Sequence, residues 1–482
     1  MDIDLRIGGR GVPATGGATF ERRHPISGEV VTRAAAATVA DANAAADAAA
    51  AALPVWSGLG PNERRRLLLK AADLMGSRAA DFVALAAETG ATGGWAGFNV
   101  MLASSMLREA ASLTTQVVGE VIPSDKPGCY ALAIRQPAGV VLGIAPWNAP
   151  VILGTRAVAT PLACGNTVVL KASEICPATH TLIGTVLEEA GLPPGTINVV
   201  TNAPADAQAI VTALIAHPAV RRVNFTGSTR VGRIVAEIAG RHLKPVLLEL
   251  GGKAPLVVLD DADLDAAVNA TAFGAYMNQG QICMSTERVI VDERVADVFV
   301  GKLKQKAQGL PTGDPREGNV VLGSLVGAEA VQHVGALADD AAAKGATMVL
   351  SPAVSHGTVM SAAIVDRVTP AMRLYSEESF GPIVAIVRVK DDEEAVRAAN
   401  DTEYGLASSV FSQNINRAMA VASKIQAGIC HINGPTVADE AQMPFGGMKA
   451  SGYGRFGGRA GIAEFTDLRW ITIETGTPHY PF

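Results

Sequence analysis

The sequence predicts an α/β fold built on parallel sheets with helices on both faces. Three observations point to it. Between Gly139 and Leu250, short β-branched runs alternate with helical stretches. Those runs are apolar almost throughout rather than at every second position, as in strands covered on both faces. At 482 residues the chain exceeds what one core holds, and a second alternating section runs from about Leu256 to His431, so two or three domains are expected.

Taken in order, the first forty residues alternate short apolar and polar pieces around Gly8-Gly9, Gly16-Gly17 and Ser27-Gly28, which reads as hairpins. Gly9, Gly11 and Ala14 fit a dinucleotide-binding pattern, but Pro13 and Gly16-Gly17 prevent the helix it requires, so a turn is expected. Thr38 and Asp41 have capping-box spacing and open an alanine-rich helix to Leu53. A second helix follows Pro61, with Glu63 in its first turn. Strands are then expected at Val140-Ile144, Thr167-Leu170, Ile197-Val200, Arg222-Phe225 and Val246-Leu248, separated by helices at Thr179-Ala190, Ala207-Ala216 and Arg230-Gly240. Nucleotides bind at the carboxyl ends of such strands. After Gly452 a mixed run, Leu468 to Ile473, looks like an added strand.

Composition narrows the function classes. An apolar fraction of 49% with 18% charged residues describes an ordinary globular protein. The net charge of -6 is spread along the chain and offers no basic footprint for nucleic acid or a membrane surface. Five cysteines at irregular spacing argue against a disulfide framework and for a reducing compartment, and no Cys/His cluster reads as a metal site. Asp2 and Asp4 stand where a signal peptide would be basic. The uncharged stretch Gln136 to Thr155 carries Pro137, Pro146, Asn148 and Pro150, which suit buried strand and turn better than a spanning helix. A cytoplasmic protein is expected.

Three segments carry chemistry. In Arg222 to Gly232 a strand runs through Thr226-Gly227-Ser228 into a helix, so backbone N–H groups and the helix N-terminus can face a pyrophosphate. Gly227 allows the turn, and Gly232 lets the cofactor or the sheet approach the helix. Cys283 sits in Asn278-Gln279-Gly280-Gln281-Ile282-Cys283-Met284-Ser285. A lone cysteine is most often a small buried hydrophobe, the reading kept for Cys129, Cys164, Cys176 and Cys430. Glu249 directly follows an apolar strand and precedes Gly251-Gly252, where burial would raise its pKa toward that of a general base. A salt bridge to Lys253 or Arg241 is the alternative.

Six blocks in order, Pro146-Trp147-Asn148, Lys171-Ala172-Ser173-Glu174, Phe225-Thr226-Gly227-Ser228, Glu249 to Lys253, Gly280 to Cys283 and Glu378 to Pro382, resemble the aldehyde dehydrogenase superfamily over nearly the whole chain. The resemblance implies covalent catalysis without a metal: Cys283 as nucleophile, Asn148 and the Cys283 N–H as oxyanion hole, and Glu249 as the base that hydrolyses a thioester. It implies a nicotinamide cofactor held by Trp147, Lys171, Glu174, Gly227, Ser228, Gly232, Leu250, Glu378 and Phe380. Glu174 favours NAD because a carboxylate there repels the extra phosphate of NADP, although NADP is accepted by some members that carry this acid. The resemblance also implies a Rossmann-type cofactor domain (residues 1–119 and 141–250), an α/β catalytic domain (251–450), a small β oligomerisation element (120–140 and 451–482), and assembly as a homodimer or homotetramer.

Within the family the resemblance is closer to the bacterial aromatic-aldehyde branch acting on vanillin, salicylaldehyde and benzaldehyde. It rests on Gly94 to Asn99, Arg108 to Leu113, Asn278 to Arg288 and Gly452 to Phe456. Trp95, Met277, Ile282, Met284 and Phe445 would line a slot for a flat ring, with ordinary core packing as the alternative for each. Arg156, eight residues after Asn148, is a candidate contact to a ring hydroxyl or a structural ion-pair partner. Overall similarity leans toward vanillin and related aldehydes. The alternatives are a broad-specificity, aliphatic or semialdehyde dehydrogenase, a CoA-acylating enzyme, a non-catalytic protein of the same fold, and a cysteine hydrolase. A CoA-acylating enzyme would lack Glu249. Against a hydrolase, His24, His180, His217 and His242 read as surface or turn residues, outside any recognisable partner motif.

Overall fold

The computed structural model describes residues 1–477 and 479–482. Its first sheet has eight strands, in the order Gly452–Tyr453, Val246–Glu249, Val220–Thr226, Val140–Ile144, Thr167–Lys171, Ile197–Val200, Leu5–Ile7 and Arg10–Val12. The five central strands are parallel, and the outer strands run antiparallel to their neighbours. Successive strands step one way from Val140–Ile144 and then the other way, so the order reverses between Val140–Ile144 and Val220–Thr226. A crevice opens at the carboxyl ends of strands where the order reverses.

The second sheet has seven strands, and all but Thr347–Leu350 run parallel. The chain crosses from the first sheet to the second in four residues: Val246–Glu249 ends and Ala254–Val258 begins. The carboxyl ends of the first sheet are thereby brought to the amino ends of the second. Thr466–Glu474, Cys129–Pro137 and Glu120–Ile122 form a separate antiparallel sheet. A further sheet joins Asp2–Ile3, Val30–Ala35 and Thr19–Arg23.

Local chemistry explains the helices that position the cleft. Thr38 and Asp41 form a reciprocal capping box. The helix then runs through Pro54 to Gly58, beyond the expected end at Leu53. Trp56 holds the extra turn: it is fully buried, and its indole N–H donates to the Leu162 carbonyl at 3.0 Å. Gly8-Gly9 and Ser27-Gly28 close hairpins, whereas Gly16-Gly17 joins strands of two different sheets. Pro150–Ala163 is buried along its whole length and packs against Gly93–Leu113 in the largest core cluster. Burying each Leu, Ile or Val there contributes roughly 1.5–3 kcal/mol. Among the described residues no helix is long and apolar enough to cross a membrane.

Two buried polar groups organise the segment after Thr167–Lys171. The Glu88 carboxylate accepts from the Ala178 and Thr179 N–H groups at 3.0 and 3.1 Å, capping helix Pro177–Ala190 from another part of the chain. His180 is fully buried in that helix, and its Nδ1 accepts from the Ser173 N–H at 3.1 Å. Burial holds its pKa down to about 4. The expectation of a surface or turn histidine was wrong here, whereas His24, although buried, does sit at a turn, its Nδ1 accepting from the Ile26 and Ser27 N–H groups. Cys164 and Cys176 are buried, but Cys129 is partly exposed and Cys430 exposed, contrary to their reading as core.

Candidate active site

Two cavities lie near the motif residues, the larger against the first sheet and the smaller against Cys283. The larger, of about 460 Å³, lies at the carboxyl ends of the first sheet. Trp147 follows Val140–Ile144, Lys171 ends Thr167–Lys171 with Ser173 and Glu174 just after it, and Gly227-Ser228 follow Val220–Thr226; all reach this cavity. Ser228 caps helix Thr229–Arg241, and the Gly227 N–H donates to the Glu249 carbonyl at 2.9 Å, which fixes the turn. Glu174 forms an ion pair with Lys171 and accepts from Asn202 Nδ2 at 3.0 Å. Burial pushes its carboxyl up, but the Lys171 charge and these hydrogen bonds hold it below the ordinary range. Gly232 and Leu250 do not line the cavity. A methyl group at Gly232 would stand 2.3 Å from Leu250 Cδ2, so the glycine admits that side chain instead.

Glu378 and Phe380 line neither cavity and lie against Gly252 and Trp147. The Gly252 N–H donates to Glu378 Oε1 at 2.9 Å, so this acid is not freely solvated. Burial and the nearby Glu287 push its pKa up to about 7. Phe380 meets Trp147 edge-on, with ring centroids 5.8 Å apart.

The second cavity, of about 300 Å³, ends on Cys283 and Asn148. All six expected pocket residues line it: Trp95, Arg156, Met277, Ile282, Met284 and Phe445. Phe98, Leu102, Ile152, Phe273, Val437 and Asp439 line it too and were missed. Helical spacing from Trp95 through Phe98 to Leu102, from Asn148 to Ile152, and from Phe273 to Met277 was a usable signal for the first four. Asp439 gave none. The two cavities have no lining residue in common, and consecutive residues Trp147 and Asn148 face one each.

Cys283 is presented by a strained loop. Asn278, Gln279 and Gly280 all have positive φ, at 48°, 57° and 71°. A methyl group at Gly280 would stand 2.2 Å from the Gly381 carbonyl oxygen, and one at Gly252 2.3 Å from the Cys283 carbonyl oxygen. Asn148 ties into this loop. Its Nδ2 donates to the Gln281 carbonyl at 3.0 Å, while its own carbonyl accepts from Trp95 Nε1 at 3.0 Å and Asn278 Nδ2 at 2.9 Å. Burial, then the charges of Glu249 and Glu378, push the Cys283 thiol well above its ordinary range.

Glu249 ends its strand fully inside the protein. Oε1 accepts from the Gly447 N–H at 3.1 Å, and Oε2 has no partner among the described residues. The alternative salt bridges do not form: Lys253 pairs with Glu287 and Arg241 with Glu237. Burial lifts the Glu249 carboxyl to about 8. Arg156 is an ion-pair partner of Asp439, the second of the two readings considered for it, and it also lines the cavity. Among the described residues no group of three His, Cys, Asp or Glu side chains could hold a metal ion.

The profile of the aldehyde dehydrogenase family matches residues 12–471. A vanillin dehydrogenase of Pseudomonas fluorescens is 62% identical over 481 residues, covering 100% of both chains. A salicylaldehyde dehydrogenase of Pseudomonas putida is 51% identical over 484 residues, again covering 100% of both. The crystal structure of a salicylaldehyde dehydrogenase from Pseudomonas putida G7 complexed with salicylaldehyde superimposes with a TM-score of 0.98 at 51% identity, covering 100% of both chains.

Proposed function

The chain belongs to the aldehyde dehydrogenase family, and from that membership we propose that it oxidises aromatic aldehydes of the vanillin and salicylaldehyde class to carboxylic acids, with NAD as cofactor. The observation that carries the substrate class is the cavity ending on Cys283, walled by Trp95, Phe98, Phe273 and Phe445. Flat apolar walls of this kind suit a ring better than a short aliphatic chain. The names of the relatives point the same way.

The cofactor cavity fits a dinucleotide on its own geometry. Ser228 opens a helix whose N-terminus faces the cavity, which favours a pyrophosphate. Glu174 is held ionised beside Lys171, where it can accept from a ribose diol and repel a phosphate ester. NAD is therefore preferred over NADP. A bound nicotinamide supplies the acceptor for the electron pair released from the substrate carbon.

The chain's own residues do the rest. Cys283 must lose its proton to solvent to become nucleophilic, and its surroundings keep the resting thiol protonated until then. Attack by Sγ forms a C–S bond and moves the carbonyl electron pair onto oxygen. The amide of Asn148 has two N–H groups and uses one on Gln281. The second, with the Cys283 N–H, donates to that oxygen. Loss of the C–H electron pair leaves a thioester on Cys283. Glu249 then takes a proton from water as the water attacks the thioester, the C–S bond breaks, and the acid leaves. With Glu249 inside the site, water and not a second thiol takes the acyl group.

The three-stranded sheet exposes Val121, Tyr130, Leu468 and Trp470. By the strand register Val121 and Tyr130 lie on one face and Leu468 and Trp470 on the other; a second copy of the chain packed on this sheet would cover part of that exposed apolar surface, so a homodimer or homotetramer is part of the proposal. So is a cytoplasmic location, which suits five free cysteines.

The test is formation of reduced nicotinamide with vanillin, salicylaldehyde, benzaldehyde and a short aliphatic aldehyde in parallel. The ring aldehydes should give much the higher kcat/KM. A lead for the aliphatic substrate would overturn the aromatic assignment while leaving the chemistry on Cys283 intact.

A further inference from the structure

The segment Glu378-Ser379-Phe380 links the two cavities without lining either. On one side the Phe380 ring meets Trp147, a wall of the larger cavity, edge-on. On the other, Glu378 Oε1 accepts from the Gly252 N–H, and a methyl group at Gly252 would stand 2.3 Å from the Cys283 carbonyl oxygen. A dinucleotide in the larger cavity has to pass this segment for its redox end to reach the carbon held on Cys283.

One buried carboxylate holds the segment. Glu287 lies on strand Thr286–Asp292, just after Cys283 in the chain, and is 4% exposed. Its Oε1 accepts from the Ser379 N–H at 3.0 Å and the Phe380 N–H at 3.2 Å, and its Oε2 from the Ser379 hydroxyl. Buried Lys253 pairs with Oε2 at 2.6 Å and donates to Ser379 Oγ at 3.1 Å. Two successive N–H groups converge on one oxygen because Phe380 has left-handed backbone, with φ 46°. A residue with a Cβ stays in that conformation only where its surroundings over-determine it. His333 Nε2 donates to the Glu378 carbonyl at 3.0 Å, so the two N–H groups that follow are the freedom Glu287 removes. Stability alone does not call for the ion pair, since an apolar pair of similar volume is often neutral or stabilising in its place. An apolar pair would not receive those N–H groups.

We propose that Glu287 is a positioning residue for hydride transfer, which by accepting both N–H groups fixes Phe380 and Glu378 against the nicotinamide half of the cofactor. This rests on the reading of the larger cavity as a dinucleotide site. It also explains why the anchor sits on this strand. Thr286–Asp292 leads directly out of the loop that presents Cys283, so one rigid element sets both the nucleophile and the residues beside the nicotinamide. A misplacement of about 1 Å between reacting groups is enough to cost roughly 100-fold in rate.

Removing Glu287 alone would strand the Lys253 charge in the core, so the variants are double. Lys253→Met with Glu287→Leu keeps the volume and removes the acceptor. Lys253→Met with Glu287→Gln removes the same charges but keeps an oxygen for the two N–H groups. The measurements are calorimetric affinities for NAD and for ADP, the first-turnover rate of reduced nicotinamide formation with vanillin, and hydrogen exchange at the Ser379 and Phe380 amides in the free enzyme. In the leucine pair NAD affinity should fall about tenfold and the first-turnover rate roughly 10- to 100-fold. ADP affinity should stay within about threefold, because it reports the other half of the site. Exchange at the two amides should speed up by about tenfold or more. The glutamine pair should recover most of each loss, which a role in packing or charge alone would not give. Equal losses in both pairs would overturn the proposal, as would a leucine pair that keeps NAD affinity and first turnover within about threefold of wild type. Wild-type exchange needs no variant, so poor folding of either pair does not remove the test: amides that exchange as fast as those of exposed loops would overturn it too. A wild-type enzyme that binds neither NAD nor ADP would instead remove the dinucleotide reading, and this inference with it.

Discussion

Replacing Glu249 by Gln keeps the shape of the side chain and its contact to the Gly447 N–H, 3.1 Å from Oε1, but removes the only group placed to activate water. With the carboxyl lifted to about 8, roughly one site in ten carries the working carboxylate at pH 7. Where thioester hydrolysis limits turnover, wild-type kcat should therefore climb about tenfold per pH unit below pH 8 and level off above it. A positioned base contributes ~100- to 10,000-fold, or ~3–5 kcal/mol of barrier. Glu249→Gln should lose turnover by that factor, and the slope with pH should disappear. Formation of the thioester uses Cys283, Asn148 and the bound nicotinamide, with the thiol proton lost to solvent, and does not use Glu249, so rapid mixing should give a burst of about one reduced nicotinamide per site before the slow steady rate. The same carboxyl links activity to stability. Its folded-state pKa lies above its ordinary 4.5, so its favourable contribution is complete below pH 4.5 and is lost as pH rises toward 8. Moving a carboxyl that far corresponds to ~5 kcal/mol at most. The glutamine variant has no such loss and should gain on the wild type in thermal stability between pH 5 and pH 8. A steady rate within a few-fold of wild type, with the pH slope intact, would refute the role given to Glu249.

Three further outcomes test separate parts of the site. Cys283→Ala should abolish aldehyde oxidation while cofactor affinity, measured by calorimetry, changes less than about threefold, because Cys283 is not part of the cofactor cavity. Glu174→Gln should raise the ratio of NADP to NAD use, read as kcat/KM, by roughly tenfold or more, since it removes a held negative charge next to Lys171. An unchanged ratio would place the ribose elsewhere. Gly280→Ala must fit a methyl at φ 71°, 2.2 Å from the Gly381 oxygen. It should cost ~1–3 kcal/mol of stability and most of the activity; a wild-type melting curve would show that this loop is not strained.

The parallel core was legible because strands covered on both faces announce themselves as unbroken apolar runs. Val140–Ile144 and Ile197–Val200 have the expected bounds, and so does helix Ala207–Ala216. Ordered motifs led to Cys283 and Asn148, which line one cavity, and to Glu249, which ends its strand just before Gly251-Gly252 and lines neither cavity. What failed was whatever depends on a partner distant in sequence. His180 looked like a surface residue, yet helix Pro150–Ala163 covers it, with Gly154 beside its ring. The helix through Pro54 needed Trp56 to find the Leu162 carbonyl. Asp439 gave no sign at all, because its meaning comes from Arg156, 283 positions earlier.

Trp147 and Asn148 are neighbours in the chain, yet they face different cavities that share no wall. The two binding problems are therefore mutationally independent across most of their surfaces. In the proposed reading, substitutions on the helix carrying Trp95 and Phe98 retune which aldehyde enters without touching the lining of the larger cavity. Changes at Lys171 or Glu174 leave the aldehyde slot as it was. Pairs of substitutions, one from each wall, should combine additively. A fold arranged this way can take on new aldehydes by drift on one side alone, with the redox partner held constant.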